Sequence, residues 1–196
     1  MLKWLAACLI GMGIACGIHP SHLPSPVNHY DGGVILIHTG VGDCTAWRYK
    51  AAIFITAAHC VKMQAEGTTY GVRFLVVARD EDADIAAIYT FLPNSYAFTV
   101  AEADPVIQEP VFAVGHALAD PELTVTSGVV AHGPVPFEAN GAGHLVLDLS
   151  LIPGMSGGPI LNLKGEVVSI IQDTGVGIGF GADPALLRKF VAAFKD

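Results

Sequence analysis

The sequence predicts an all-β fold, a sandwich or a pair of barrels. Three observations carry that expectation. Short runs rich in Val, Ile and Thr recur along the chain, each bounded by Gly, Pro, Asn or Asp. The chain turns often, with 22 Gly and 12 Pro among 196 residues, against roughly 12% of such residues in an average protein. It is 52% hydrophobic and only 14% charged, which excludes a disordered chain, and a coiled coil for want of Glu, Lys and heptads.

Taken in order, the first element is a leader. Lys3 precedes an apolar stretch from Leu5 to Ile18 that stops before Pro20. This is the signal-peptide pattern, and the stretch falls short of the ~20 residues that span a bilayer. Residues 1–16 are read as the leader. Gly13-Ile14-Ala15-Cys16 resembles a bacterial lipobox, which makes Cys16 a candidate lipidation site; ordinary cleavage near Cys16 or Gly17 is the other reading. Residues 17–30, with His19-Pro20-Ser21-His22 and Pro24-Ser25-Pro26, suit a semi-extended tether. An exported chain is expected, and an oxidising compartment favours pairing the remaining Cys44 and Cys60. Two buried free thiols are the alternative.

The strands follow. They are Val34–Thr39, Ile53–Thr56, Val72–Ala78, Ile85–Tyr89, Val111–Val114, Thr124–Ala131, His144–Asp148, Pro159–Asn162 and Glu166–Ile171. Many short strands at this spacing make a sandwich or barrels. The segments 99–109 and 134–143 show no clear period and read as connections. One helix closes the chain. Asp183-Pro184 supplies a cap and a proline at the first helical position. Leu186, Leu187, Phe190, Val191 and Phe194 then share one face, while Arg188, Lys189 and Lys195 suit the remainder and the last turn.

Charge and motifs narrow the function. Net charge is −8, with 10 basic and 18 acidic residues and no basic stripe, so no nucleic-acid partner is expected. There is no phosphate loop with its lysine and no dinucleotide fingerprint, so no cofactor is expected. His38, His116, His132 and His144 lack paired ligand spacing, so no metal is expected either. Three motifs carry chemistry: Thr56-Ala57-Ala58-His59-Cys60, Asp82-Ala83-Asp84-Ile85-Ala86 and Gly154-Met155-Ser156-Gly157-Gly158-Pro159. They supply a base, an acid and a hydroxyl. A serine hydroxyl is a poor nucleophile near neutral pH and needs a base to take its proton. His59 suits that task, with an unperturbed imidazole near ~6.5. An acid must fix its tautomer and stabilise the imidazolium. Asp84 is the choice, with Asp80 and Asp82 as rivals.

With these residues in place, the sequence resembles the chymotrypsin-fold, or trypsin-like, serine proteases, and most of all their bacterial HtrA-like branch. Thr124-Val125-Thr126-Ser127-Gly128-Val129-Val130 is similar to that branch's "TVTSG" segment. Ile152-Pro153-Gly154-Met155-Ser156-Gly157-Gly158-Pro159 is similar to its "NPGNSGGP" loop, and Gly177-Ile178-Gly179-Phe180 to its "GIGF" strand. The resemblance spans about residues 31–194. It implies two six-stranded antiparallel β-barrel lobes, about 31–105 and 106–182, and a C-terminal helix over 183–195. The whole protease domain would then occupy 31–196, with no room for a trailing PDZ domain.

The resemblance also implies roles. His59, Asp84 and Ser156 become a catalytic triad in a serine endopeptidase, and the amides of Gly154 and Ser156 an oxyanion hole. Cys44 and Cys60 have the spacing of the disulfide beside the trypsin-like histidine, although the HtrA-like branch commonly lacks it. Met155 stands where trypsin-like zymogens carry an Asp for a freshly cut N-terminus, so activation by such a cut is not expected. The HtrA-like branch carries Asn there, and Asn where this chain has Ile152. The primary pocket is placed near Ser150, with walls from Ser169-Ile170-Ile171 and Gly179. No acid sits at its base, so a shallow apolar pocket for Val, Ala or Leu is expected. Protein or peptide substrates follow, in the periplasm, on the outer membrane as a lipoprotein, or outside the cell. The alternative is a catalytically weak protease-fold module that binds peptides or a protein partner.

Overall fold

The computed structural model describes residues 32–62, 64–93, 96–136, 143–175 and 177–194. The expected leader, tether and Cys16 lie outside these residues, as does Lys195.

Twelve strands form two closed six-stranded antiparallel barrels. The first barrel holds β1 (Val34–Thr39), β2 (Gly42–Lys50), β3 (Ile53–Thr56), β4 (Glu66–Thr69), β5 (Val72–Asp80) and β6 (Ile85–Tyr89). Its order is β1-β2-β3-β6-β5-β4, closed where His38 of β1 pairs with Thr68 of β4. The second holds β7 (Pro110–Gly115), β8 (Thr124–Pro136), β9 (Gly143–Asp148), β10 (Pro159–Leu161), β11 (Val167–Gly175) and β12 (Ile178–Ala182). Its order is β10-β11-β12-β9-β8-β7, closed where Ile160 pairs with Ala113. Closure leaves neither sheet with an open edge.

The two-residue period of a strand explains the packing. Ile35, Phe54, Phe74, Ala86 and Ile88 point into the first barrel. Val111, Ala113, Val130, Leu145 and Leu147 point into the second. Their neighbours Ile55, Ile85, Ala87, Phe112 and Val114 face the other way, into an apolar seam with Trp47, Leu161 and Ile170. Strands buried on both faces read as continuous apolar runs, and the Ile-Phe-Ile and Val-Phe-Ala-Val runs are of this kind. Trp47 and Phe98 meet edge to face in the seam, 6.1 Å between centroids.

α1 (Pro184–Ala192) closes the chain against that seam. The Asp183 carboxylate accepts the Ala185 and Leu186 N–H groups at 2.8 and 3.4 Å, and Pro184 follows the cap. Such a cap stabilises by about 1 kcal/mol. Leu187 and Val191 are buried, with Leu186, Phe190 and Phe194 packed beside them. The Arg188 guanidinium donates to Asp104, on the connection between the barrels, at 2.6 Å.

Three strands lie outside the apolar runs read from the sequence, and of these β12 is implied by the resemblance of Gly177-Ile178-Gly179-Phe180. β2 was hidden because Gly42, Asp43, Arg48 and Lys50 break its apolar pattern. Arg48 is nevertheless buried, its guanidinium over the Phe54 ring at 4.6 Å and donating to the Ala51 and Pro93 carbonyls. β4 is polar Glu-Gly-Thr-Thr, held by pairing with both β1 and β5. β12 contains Gly179 and Gly181, yet a side chain at Gly181 would sit 2.6 Å from Ser169 Oγ. β8 and β11 also run further than expected, to Pro136 and Gly175.

Candidate active site

His59 and Asp84 each stand where a strand of the first barrel meets a turn. β3 ends at Thr56, and a single 3₁₀ turn, Ala58–Val61, carries His59 out of the barrel. Ala58, Cys60 and Val61 are buried beneath it, so His59 is the exposed member of the turn. Asp84 immediately precedes β6 and has a left-handed backbone, φ +50°. Its carboxylate accepts twice from His59, from the backbone N–H at 2.7 Å and from ring Nδ1 at 2.8 Å. An ionised carboxylate only accepts, so the Nδ1 atom carries the hydrogen and Nε2 keeps its lone pair. The hydrogen bond to Asp84, its charge and that of Asp173 together raise the His59 pKa above the ordinary imidazole value, while burial works in the other direction. Of the rivals, Asp80 accepts the Ala83 N–H at 3.0 Å and shapes the turn, and Asp82 is exposed.

Cys44 and Cys60 are joined by a disulfide, with Cα atoms 6.1 Å apart. Cys60 Sγ lies 3.6 Å from His59 Nε2 and 3.7 Å from the Ser156 carbonyl oxygen. A disulfide sulfur has no hydrogen, so these are packing contacts. They also bring the Ser156 turn against the His59 turn, one from each barrel. The ligand atoms of Cys44, His59 and Cys60 lie within 4.8 Å of one another, but bonded sulfurs are not thiolates and make no metal ligands.

The Ser156 turn is built from carbonyls that are all engaged. Met155 donates to the Ile152 carbonyl at 3.1 Å, with Pro153 second and Gly154 third at φ +95°. This is a type II turn, which needs a positive φ at its third residue. The Pro153 carbonyl accepts from Leu118 N–H at 2.7 Å, and the Gly154 carbonyl from Thr45 Oγ1 at 2.8 Å. Thr45 Oγ1 accepts in turn from His116 N–H at 2.9 Å. The Ser156 carbonyl accepts from Thr45 N–H at 2.8 Å. Gly157 and Gly158 lock the turn to β11, with Gly157 N–H to Ile171 O at 2.7 Å and Ile171 N–H to Gly158 O at 2.8 Å. A side chain at Gly157 would meet Thr56 Oγ1 at 2.2 Å, so glycine is what lets the two barrels close here.

Among the described residues the N–H groups of Ile152, Gly154 and Ser156 have no protein acceptor. A trans peptide is planar, with its C=O and N–H opposed. Leu118 holds the Pro153 carbonyl, so the Gly154 N–H points away from Leu118.

The pocket candidates separate. Ile171, Leu149 and Leu151 share one buried cluster. A side chain at Gly179 would sit 2.8 Å from Leu151 Cδ1 and 3.3 Å from Leu149 Cδ1. Ser150 is exposed. Ser169 is fully buried and donates to the Ala182 carbonyl at 2.6 Å. Ile170 faces the opposite way, into the seam under α1. Sequence reasoning passed over Leu151, Thr45 and Gln172. Nothing local marks Thr45 or Gln172, whose partners lie across the barrel boundary.

Comparison with known proteins agrees with the double-barrel fold. The trypsin-like peptidase domain matches residues 42–170. "Protease Do-like 2, chloroplastic" of Arabidopsis thaliana is 30% identical over 129 residues, 59% of this chain and 21% of that protein. "Serine protease HTRA1A" of Danio rerio is 30% identical over 159 residues, 74% of this chain and 33% of that protein. The chain thus spans about a fifth to a third of the length of the curated relatives it matches. The inactive form of the M. tuberculosis Rv3671c protease superposes with a TM-score of 0.77 at 19% identity, covering 91% of this chain and 97% of that one. With the double barrel, the matched domain spanning most of both barrels and HtrA-type relatives, this chain belongs to the trypsin-like peptidase family.

Proposed function

We propose that this chain is a serine endopeptidase that hydrolyses peptide bonds through an acyl-enzyme on Ser156. The observation that carries the reading is the double grip of Asp84 on His59, which leaves the lone pair on Nε2, in a turn that packs through Cys60 against the Ser156 turn. In the first step His59 Nε2 takes the Ser156 hydroxyl proton as Oγ bonds to the scissile carbonyl carbon. The negative charge on the carbonyl oxygen is met by the unpaired Gly154 and Ser156 amides. Collapse breaks the C–N bond, and His59 returns its proton to the leaving amine. Water then gives its proton to His59 and attacks the ester carbon. Ser156 recovers its proton, and the acid product leaves.

Met155 supports a site that needs no activating cut. It is fully buried in an apolar cluster and offers no carboxylate to a new N-terminus. Leu149 and Leu151 crowd Gly179, and Ile171 shares their buried cluster, which favours small aliphatic residues such as Val, Ala or Leu before the cut bond. Substrates are proteins or peptides. The leader pattern of residues 1–16 and the Cys44–Cys60 bridge favour export, with Cys16 as a lipidated N-terminus and residues 17–30 as its tether. Turnover of an unfolded protein by wild type and by Ser156→Ala tests the activity. The variant should lose about four or more powers of ten. Peptide capture without cleavage by wild type would favour the binding-module reading instead.

A further inference from the structure

We propose that Gln172 is a positioning residue for the His59–Asp84 pair, acting from the opposite barrel. The inference rests on the proposed triad and adds a residue to it. Gln172 lies on β11 of the second barrel and is buried, 5% exposed. Its amide nitrogen donates to the Ala83 carbonyl at 2.7 Å and points to the Asp84 carbonyl at 3.3 Å. Both carbonyls belong to the first barrel. The amide oxygen is buried with no hydrogen-bond partner among the described residues. Flipping the amide would set that oxygen against two carbonyl oxygens, so the orientation is fixed by chemistry.

A buried polar side chain with one end unsatisfied is costly. An aliphatic side chain would fill the same core at less cost. What Gln172 gains is a hold on a residue in an unfavourable conformation. Asp84 has φ +50°, a region that side-chain-bearing residues enter rarely. Gln172 grips the backbone on one side, and the carboxylate grips His59 on the other. Release of the backbone lets Asp84 relax toward ordinary φ, and its carboxylate can then no longer meet both His59 donors.

The same stretch of β11 holds the nucleophile turn. Ile171 bonds Gly157 and Gly158, and its neighbour Gln172 bonds Ala83 and Asp84. Two consecutive residues therefore set the distance between the Ser156 turn and the acid. The charges acting on the His59 ring are Asp84 and, next to Gln172, Asp173.

Gln172→Met keeps the length and removes the donors. Misplacement of reacting groups by about 1 Å costs about 10²-fold. The variant should lose about 10²-fold in kcat with KM within about twofold. The acid limb of its pH–rate profile should move down toward the ordinary imidazole value. The low-field proton NMR resonance of the His59 Nδ1–H should shift upfield or vanish. Gln172→Leu, which also lacks a donor, should behave alike and serves if the Met variant does not fold. A lowered Tm with unchanged kcat, acid limb and low-field resonance would overturn the proposal. The resonance is read without turnover: if wild type proves inactive, the peptidase reading fails while this test of Gln172 still stands.

Discussion

Gly154→Ala is the substitution whose cost the geometry specifies most fully. A Cβ there would sit 2.4 Å from the His116 carbonyl oxygen, 3.0 Å from Leu118 N and 3.1 Å from Ala119 N. All three are backbone atoms and cannot rotate away. The residue also has φ +95°, outside the range side chains adopt readily. Strain of this kind costs about 2 kcal/mol, or about 4–8 °C in Tm for a domain of this size. The catalytic loss should be larger than the stability loss suggests. To clear His116, the Pro153–Gly154 peptide must turn, breaking the Leu118 hydrogen bond and redirecting the Gly154 N–H. Loss of one oxyanion donor costs roughly 2.7–4 kcal/mol, about 10²–10³ in kcat. The assay is kcat and KM on a peptide substrate beside thermal denaturation of the same samples. KM should hardly change, because the donor acts in the transition state. A variant with lowered Tm but wild-type kcat would refute the assignment of the Gly154 amide.

Other outcomes can be checked with similar effort. Replacing both Cys44 and Cys60 by Ala should cost about 3 kcal/mol, from loop-closure entropy over their 16-residue separation, seen as a fall of about 6–12 °C in Tm. The proposed mechanism requires neutral His59, whose pKa is raised chiefly by Asp84, so the acid limb of kcat/KM should lie above about 6.5 and move down in Asp84→Asn. His116 is buried and its pKa is pushed down by burial. Its contribution to stability should be full above the unfolded value of about 6.5 and be lost as pH falls toward the folded one. The stability difference between wild type and His116→Gln, measured by denaturant at pH 8 and pH 5, should shift accordingly.

The site was legible where its chemistry is local. His59 and the Ser156 turn announce themselves by neighbours a few residues away, because a 3₁₀ turn and a type II turn are local structures. Asp84 could be separated from Asp80 and Asp82 only by the resemblance, since all three lie in one turn and the pairing with His59 spans 25 residues. Gln172 was invisible for the same reason at greater range: its partners are 88 and 89 residues away. The strands show the same division. Apolar runs such as Ile53–Thr56 declare themselves, whereas polar β4 exists only because β1 and β5 flank it. Ile170 and Ile171 are adjacent and equally apolar. Only strand register sends one under α1 and the other toward Leu151.

The central claim is that Ser156 is an activated nucleophile. A fluorophosphonate probe reacts with such a serine by forming a phosphorus–oxygen bond and expelling fluoride. At pH 8, folded wild type should gain one probe mass, mapped by peptide analysis to Ser156, while Ser156→Ala and His59→Ala gain none. Wild type that is demonstrably folded and takes up no probe, or takes it up elsewhere, would contradict the account.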